Sequence, residues 1–173
     1  MRLPLSLCTA LLVVTSTQSY AETVEVKSPD GKLVVTVSDD ANFPSYQVSL
    51  DGKPVINASR LGLAFKAQGE FSQGFSIKNS QQSSADSTWQ QPWGEAKNIR
   101  NNYRQLTVNF GHDNQKFDVT FKVYNEGIGF QYHVPKQANM KGNVDITNEF
   151  TEFSIANADK AQSWWIPARG CNR

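Results

Sequence analysis

The residues with the most chemical potential lie in one short stretch, STWQQPWGEAKNIRNNY, residues 87–103. It places two tryptophans, Trp89 and Trp93, beside the carboxylate of Glu95. An indole face can stack on the C–H face of a sugar ring while nearby polar groups bind the sugar hydroxyls. The same large rings can instead fill a core or a domain interface, and composition alone favours that use. Trp89, Trp93 and Glu95 are therefore the candidate substrate-binding residues, with core or interface packing as the alternative.

Paired carboxylates are the second candidate, because glycoside hydrolysis needs two of them across a sugar. Glu149 and Glu152 are close in the sequence, and Glu95 lies among aromatic residues. The chain has 16 acidic residues, however, so close pairs arise by chance, and most such side chains are solvated. The spacing alone assigns no catalytic pair.

Metal sites and nucleophiles have little support in the sequence. The two histidines, His112 and His133, do not pair with each other or with a cysteine at a zinc-ligand spacing. Asp39-Asp40 and Asp113-Asn114 could offer oxygens to calcium, but neither pair follows EF-hand spacing. No Gly-x-Ser-x-Gly elbow is present, and Cys171 is a poor place to preorganise a nucleophile. We therefore predict no metal ligand and no catalytic nucleophile.

The first residues predict export. Arg2 is followed by the apolar run LPLSLCTALLVV, and the small residues Ser19 and Ala21 occupy the two positions that a signal peptidase reads. This pattern predicts a signal peptide over residues 1–21 and a mature domain over residues 22–173, located in the periplasm or secreted. The apolar run is too short to span a bilayer as a mature helix, so no membrane partner is expected.

The charge balance of the predicted mature domain is neutral. Arg2 is the only charged residue before Glu22, so 16 basic and 16 acidic residues remain. A neutral chain carries no electrostatic case for binding nucleic acid or anionic lipid. About 150 residues suit one domain with a real core. Since Cys171 would be its only cysteine, no internal disulfide would staple that core.

The elements that must position the candidate residues are strands. The alternation is clearest in KFDVTFKVY, where Phe117, Val119, Phe121 and Val123 share one face. Strands are predicted at 23–27, 33–38, 45–50, 61–65, 74–79, 104–110, 116–124, 127–134, 143–150, 152–155 and 163–166. No window shows a helical stripe, so the pattern predicts an all-β antiparallel sandwich or barrel.

Turns and loops punctuate these strands. Asp51-Gly52 is a strong signal for a two-residue hairpin turn. The polar run NSQQSSADS, residues 79–87, lacks periodicity and is predicted to be an exposed loop leading into the tryptophan-rich stretch. Trp164 and Trp165 lie in a short apolar segment that is predicted to be a strand, which favours a structural role for them.

Seven segments, taken in order, carry a resemblance to a known family. They are SPDGKLVVTV, SYQVSLDGKPVI, SRLGLAF, TWQQPWGEAKNIRNNYRQLTV, FKVYNEGIGFQYHVPKQ, ITNEFTEF and SWWIPA. Together they resemble the N-terminal β-sandwich domain of glycoside hydrolase family 97, the retaining α-glucosidases and inverting α-glucosidase relatives of exported bacterial glycan metabolism. The resemblance extends from about Ser28 to Ala168, and its most specific blocks are WGE…IRN.Y and VYNEGIGF.

The resemblance implies a galactose-mutarotase-like supersandwich, expected here to be incomplete at its C-terminal end. In the family this domain packs on a (β/α)8 barrel that holds the catalytic carboxylates and most calcium ligands, and it helps to form the active-site pocket. A further family calcium ligand is a glutamate shortly after a WWIPA-like segment, but no glutamate follows Pro167 here. The sequence stops soon after that segment, so a truncated chain without the barrel is expected. We therefore expect no catalytic or metal residue, no cofactor, calcium only in a full-length member, and no activity in this chain alone.

The resemblance implies a non-catalytic domain that binds carbohydrate and forms part of the pocket of an α-glucosidase-like hydrolase. Its partners would be an α-linked oligosaccharide and the missing barrel. The alternatives are a stand-alone periplasmic carbohydrate-binding sandwich, a ligand-free structural domain, or a mutarotase-like enzyme that uses His133 with a nearby glutamate. A domain separated from its barrel should expose a contiguous apolar patch, whereas a stand-alone module should show a polar surface with one aromatic groove.

Overall fold

The computed structural model describes residues 21–165 of the chain. Residues 1–20 of the predicted signal peptide and residues 166–173 therefore lie outside the described part. Eleven strands form within it: β1 Thr23–Lys27, β2 Leu33–Ser38, β3 Ser45–Leu50, β4 Lys53–Arg60, β5 Leu63–Phe65, β6 Gly69–Phe71, β7 Ser76–Gln90, β8 Asn98–His112, β9 Gln115–Val123, β10 Ile128–His133 and β11 Ile146–Glu149. A single 3-10 turn covers Ala158–Lys160. Within residues 21–165, no helix is long and apolar enough to cross a membrane.

The strands form three antiparallel sheets. The first has the order β1-β2-β3-β4, the second β10-β9-β8-β7, and a small third sheet β11-β5-β6. The first two sheets pack face to face, and the prediction of an all-β antiparallel sandwich is confirmed. The hairpin prediction at Asp51-Gly52 is also confirmed, because both residues adopt positive φ, 48° and 73°, between β3 and β4.

The core lies between the two larger sheets and follows the alternation of β9. Phe117, Val119, Phe121 and Val123 are each at most 1% exposed, as the sequence pattern predicts. Tyr46 of β3 reaches across from the facing sheet, with its ring centroid 5.8 Å from that of Phe121. Full burial of side chains of this size stabilises a fold by about 1.5–3 kcal/mol each.

The predicted loop over residues 79–87 is wrong. These residues belong to β7, which has 15 residues and pairs with β8 from Ser76 opposite Gly111 to Gln90 opposite Asn98. Backbone pairing makes this segment a strand, while its side chains are polar on both faces. It therefore shows no hydrophobic period, because nearly all of its side chains are exposed and only Ser80 and Ala85 are half-buried.

Other boundaries also differ from the sequence pattern. Strand β4 was not predicted, and the predicted strand over 152–155 contributes only an isolated bridge between Ile155 and Ile56. This segment nevertheless lies along the free edge of β4, because the Asn57 N–H donates to the Ser154 carbonyl at 2.8 Å and the Ala156 N–H to the Val55 carbonyl at 3.0 Å. The segment thus covers part of an exposed sheet edge without a regular ladder.

Candidate functional site

The tryptophan-rich stretch forms a hairpin that extends beyond the sandwich. β9 pairs with β8 only as far as Arg104, opposite Val123, whereas β7 and β8 stay paired with each other to Gln90 and Asn98. We call residues 85–103 the hairpin arm and residues 91–97 its tip. The arm is a two-stranded ribbon, a structure that is marginally stable in water without further support.

Polar contacts across the strands stabilise the arm. The Arg100 guanidinium donates two hydrogen bonds to the Asp86 carboxylate, at 2.9 Å and 2.6 Å. This bidentate contact lowers the pKa of Asp86 and raises the pKa of Arg100. At the base of the tip, the Gln90 side-chain amide donates to Asn98 Oδ1 at 3.1 Å, and within the tip the Gln91 side-chain amide donates to the Ala96 carbonyl at 2.7 Å.

The arm brings the three candidate substrate-binding residues together at its outer end. Trp89 is the second-last residue of β7 and lies opposite Ile99, while Trp93 and Glu95 lie in the tip. The side chains of Trp89 and Trp93 are 52% and 83% exposed, and Glu95 is exposed as well. Core packing is therefore excluded for both tryptophans, which leaves contact with a ligand or with a partner surface.

Trp164 and Trp165 differ from the prediction. The segment that carries them forms no strand as far as Trp165, and the two side chains are 87% and 79% exposed. They are therefore not buried in the sandwich. The predicted strand over 163–166 has only three apolar residues in a row, and so short a run does not distinguish a buried strand from an exposed coil.

The carboxylates of Glu149 and Glu152 accept structural hydrogen bonds and do not face each other across a cleft. Glu149 Oε1 accepts a hydrogen bond from the Thr151 hydroxyl at 2.7 Å. Glu152 Oε2 accepts one from the backbone N–H of Arg60 at 3.0 Å, and the Glu152 carbonyl accepts one from the Tyr46 hydroxyl at 2.9 Å. Both glutamates therefore anchor the segment that follows β11.

His133 lies in a polar row on the outer face of β8, β9 and β10. Its Nδ1 is 2.9 Å from Asp118 Oδ2, and Asp118 Oδ1 accepts a hydrogen bond from the Asn109 amide at 2.7 Å. The partner of His133 is thus an aspartate, whereas the mutarotase-like alternative requires a glutamate. His112 lies apart and contacts the Gly74 carbonyl at 2.9 Å. Among residues 21–165, no three His, Cys, Asp or Glu side chains are grouped as metal ligands.

Exposed apolar side chains recur along the segment from Val144, just before β11, to the end of the described residues. The six large ones, here called the apolar strip, are Val144, Ile146, Phe153, Ile155, Trp164 and Trp165, and each is between 37% and 87% exposed. Phe153 packs its ring on Phe130 of β10 with centroids 6.1 Å apart. Phe153 also lies 6.4 Å from Tyr46, so it extends the aromatic cluster of the core outward to the surface.

The family model described as Glycosyl-hydrolase 97 N-terminal matches residues 26–173. The chain belongs to glycoside hydrolase family 97. Solved structures of a family 97 enzyme from Pseudoalteromonas sp. strain K8, a variant with panose and the enzyme with acarbose, match 87% of this chain at 44% identity and a TM-score of 0.81. The crystal structure of a β-arabinopyranosidase matches 77% of the chain at 29% identity and a TM-score of 0.72. A retaining α-galactosidase from Bacteroides thetaiotaomicron is 25% identical over 105 residues, 61% of this chain.

This family 97 chain spans a small part of each relative. It covers 23% of the Pseudoalteromonas enzyme, 21% of the β-arabinopyranosidase and 15% of the α-galactosidase. The predicted resemblance to the N-terminal domain of the family is confirmed. The names of the relatives cover several sugars and both anomeric types, so family membership alone does not select an α-glucoside.

Proposed function

We propose that this chain serves as the non-catalytic N-terminal domain of an exported, α-glucosidase-like family 97 hydrolase, where it contacts carbohydrate and forms part of the pocket. The family match over most of the chain supports the domain assignment. The signal-peptide pattern of residues 1–21 supports export to the periplasm or beyond. The observation that carries the proposal is the apolar strip, because it favours a domain that rests on a further body.

The size of the apolar strip separates the proposal from its alternatives. A buried tryptophan covers about 150–250 Å², so Trp164 and Trp165 alone leave on the order of a few hundred Å² exposed. Phe153 and Ile155, each more than half exposed, add to this apolar area, and a large exposed apolar area is typical of an interaction surface. A stand-alone carbohydrate-binding sandwich or a ligand-free structural domain gains nothing from such a surface. We propose that the catalytic barrel covers this surface, since the solved family 97 chains are about four times as long as this match.

The hairpin arm is the part that we assign to carbohydrate. Trp89 and Trp93 offer indole faces to the C–H face of a pyranose ring, and Glu95 can accept hydrogen bonds from sugar hydroxyls. The panose and acarbose complexes of the Pseudoalteromonas enzyme support an α-linked oligosaccharide as the ligand class. The exposure of both rings supports this use over a role in the core.

Calcium belongs to the expected full-length enzyme. Most of its ligands are expected in the barrel, and within residues 21–165 no three His, Cys, Asp or Glu side chains are grouped around a common point. The catalytic carboxylates likewise belong to the barrel in this proposal. The chain alone should therefore bind carbohydrate without hydrolysing it.

Titration with panose, followed by tryptophan fluorescence, tests the contact at the hairpin arm. Panose should change the fluorescence of the wild-type chain and of a Trp165→Ala variant, which keeps both arm tryptophans. The change should be lost in a Trp89→Ala, Trp93→Ala double variant. An unchanged response in the double variant would exclude the arm as the sugar contact.

A further inference from the structure

A second aromatic surface lies on the outer face of β8 and β9, away from the tip of the arm. The rings of Tyr103 and Tyr124 lie side by side, with centroids 5.4 Å apart. The Tyr124 hydroxyl donates to Asn101 Oδ1 at 3.1 Å, and Lys122 Nζ lies 4.6 Å from the centroid of the Tyr103 ring. These contacts fix the position of two half-buried tyrosines that are not part of the core.

A depression adjoins the tyrosines because a glycine occupies β10. Gly129 pairs with Lys122 of β9, and a Cβ added at Gly129 would meet no atom within 4 Å. The open space above it is lined by Thr120, Lys122, Tyr124, Gly129, Phe130 and Gln131. We call this depression, together with Tyr103, the tyrosine platform.

The chemistry of the platform suits one class of ligand. Its rings provide apolar faces, while a hydroxyl, an amide and an ammonium group stand around them. None of the residues that line the depression is a carboxylate, so a cationic ligand gains no partner there. A pyranose ring has apolar C–H faces, which suit the aromatic rings, and hydroxyl groups around its edge, which suit the mostly uncharged hydrogen-bonding groups.

We propose that the tyrosine platform is a separate subsite for one pyranose unit of an oligosaccharide. The proposal rests on the proposed function in one respect, namely that the domain binds carbohydrate. Alternation places Trp89 and Ile99 on the same outer face as Tyr103. Ile99 is four residues from Tyr103, about 13 Å along the strand, so the two contacts take different units of an extended chain.

An NMR titration with panose tests the platform, using the side-chain amide signals of Asn101 and Gln131 as reporters. Gly129→Val fills the depression; the position has no positive φ, and valine suits a strand. Gln81→Val adds the same side chain to an exposed position on β7 of the same sheet and is the matched control. Lys122→Met, which removes the ammonium group from the platform, serves as the second variant should Gly129→Val not fold, and it should also weaken the response of the two reporters.

The two reporters should shift on addition of panose to the wild-type chain and to Gln81→Val. In Gly129→Val, the affinity for panose measured at these reporters should fall at least about tenfold. This is the change expected when one sugar ring can no longer stack and form its hydrogen bonds. If only the indole signals of Trp89 and Trp93 move, the platform is refuted while the proposed function stands. If no signal moves in any of these groups, both proposals are refuted.

Discussion

Two phenylalanines that neighbour the Phe130 ring should contribute very different amounts to the free energy of unfolding, because one lies in the core and the other in the apolar strip. Phe121 is 0% exposed and lies 5.3 Å from Phe130, whereas Phe153 is 61% exposed and lies 6.1 Å from it. Phe121→Ala leaves a cavity and should lower the free energy of unfolding by about 3–5 kcal/mol. Complete burial of a phenylalanine is worth about 2–3 kcal/mol, and Phe153 buries roughly two fifths of its surface, so Phe153→Ala should cost about 1 kcal/mol.

Urea unfolding of the purified chain measures this difference. With a slope of about 2 kcal/mol/M, the midpoint should fall by about 2 M for Phe121→Ala and about 0.5 M for Phe153→Ala. Binding of the dye ANS should decrease in Phe153→Ala, because an exposed apolar ring is removed, and should not decrease in the folded Phe121→Ala protein. A midpoint shift for Phe153→Ala as large as that for Phe121→Ala would show that Phe153 is a core residue, and the argument for a covered interface would fail.

Two further predictions concern titration. Hydrogen bonding to Arg100 lowers the pKa of Asp86, so the pair stabilises the arm above the ordinary value of 3.8 and loses this effect as the pH falls through the lowered pKa. In Asp86→Asn, the acid-induced change of the Arg100 side-chain NMR signals should disappear, and a wild-type response of these signals in this variant would contradict the assignment. Burial raises the pKa of Tyr46 to about 12, so its neutral form stabilises the fold fully below pH 10 and loses this effect up to about pH 12. Tyr46→Phe loses the bond to the Glu152 carbonyl, about 1 kcal/mol, but urea unfolding should show a smaller alkaline loss than in wild type. Because burial also raises the pKa of Tyr132, part of the alkaline loss of stability should remain in Tyr46→Phe. Equal losses in the wild type and in Tyr46→Phe would exclude Tyr46 as a source.

The local features of the fold could be predicted from the sequence because their cause is local. The alternation of Phe117, Val119 and Phe121 identified a half-buried strand, and Asp51-Gly52 identified a hairpin turn. Both patterns act over a few residues, through the pleat of the strand and the positive φ of the turn. The order of the seven segments likewise identified the family without any knowledge of contacts.

The strand character of residues 79–87 was missed because it comes from pairing and not from a hydrophobic face. Their backbone groups bond to β8, whose paired residues lie between 14 residues (Ser87 with Asn101) and 30 residues (Asn79 with Asn109) further along the chain. Polar side chains on both faces leave no period for sequence reasoning to detect. Intrinsic strand preference is similarly weak here, because it depends on the neighbours that a strand acquires.

The sequence by itself determined the fold class, the family and the group of aromatic residues available for contact. Only the tertiary structure decided where each aromatic side chain lies: Trp93 and Trp164 in solvent, Tyr46 in the core, and Tyr103 beside Tyr124. The physical reason is that an aromatic ring gains free energy from any apolar surface it meets. Which surface it meets depends on strand register and on where a sheet ends, and both arise from pairing between distant segments.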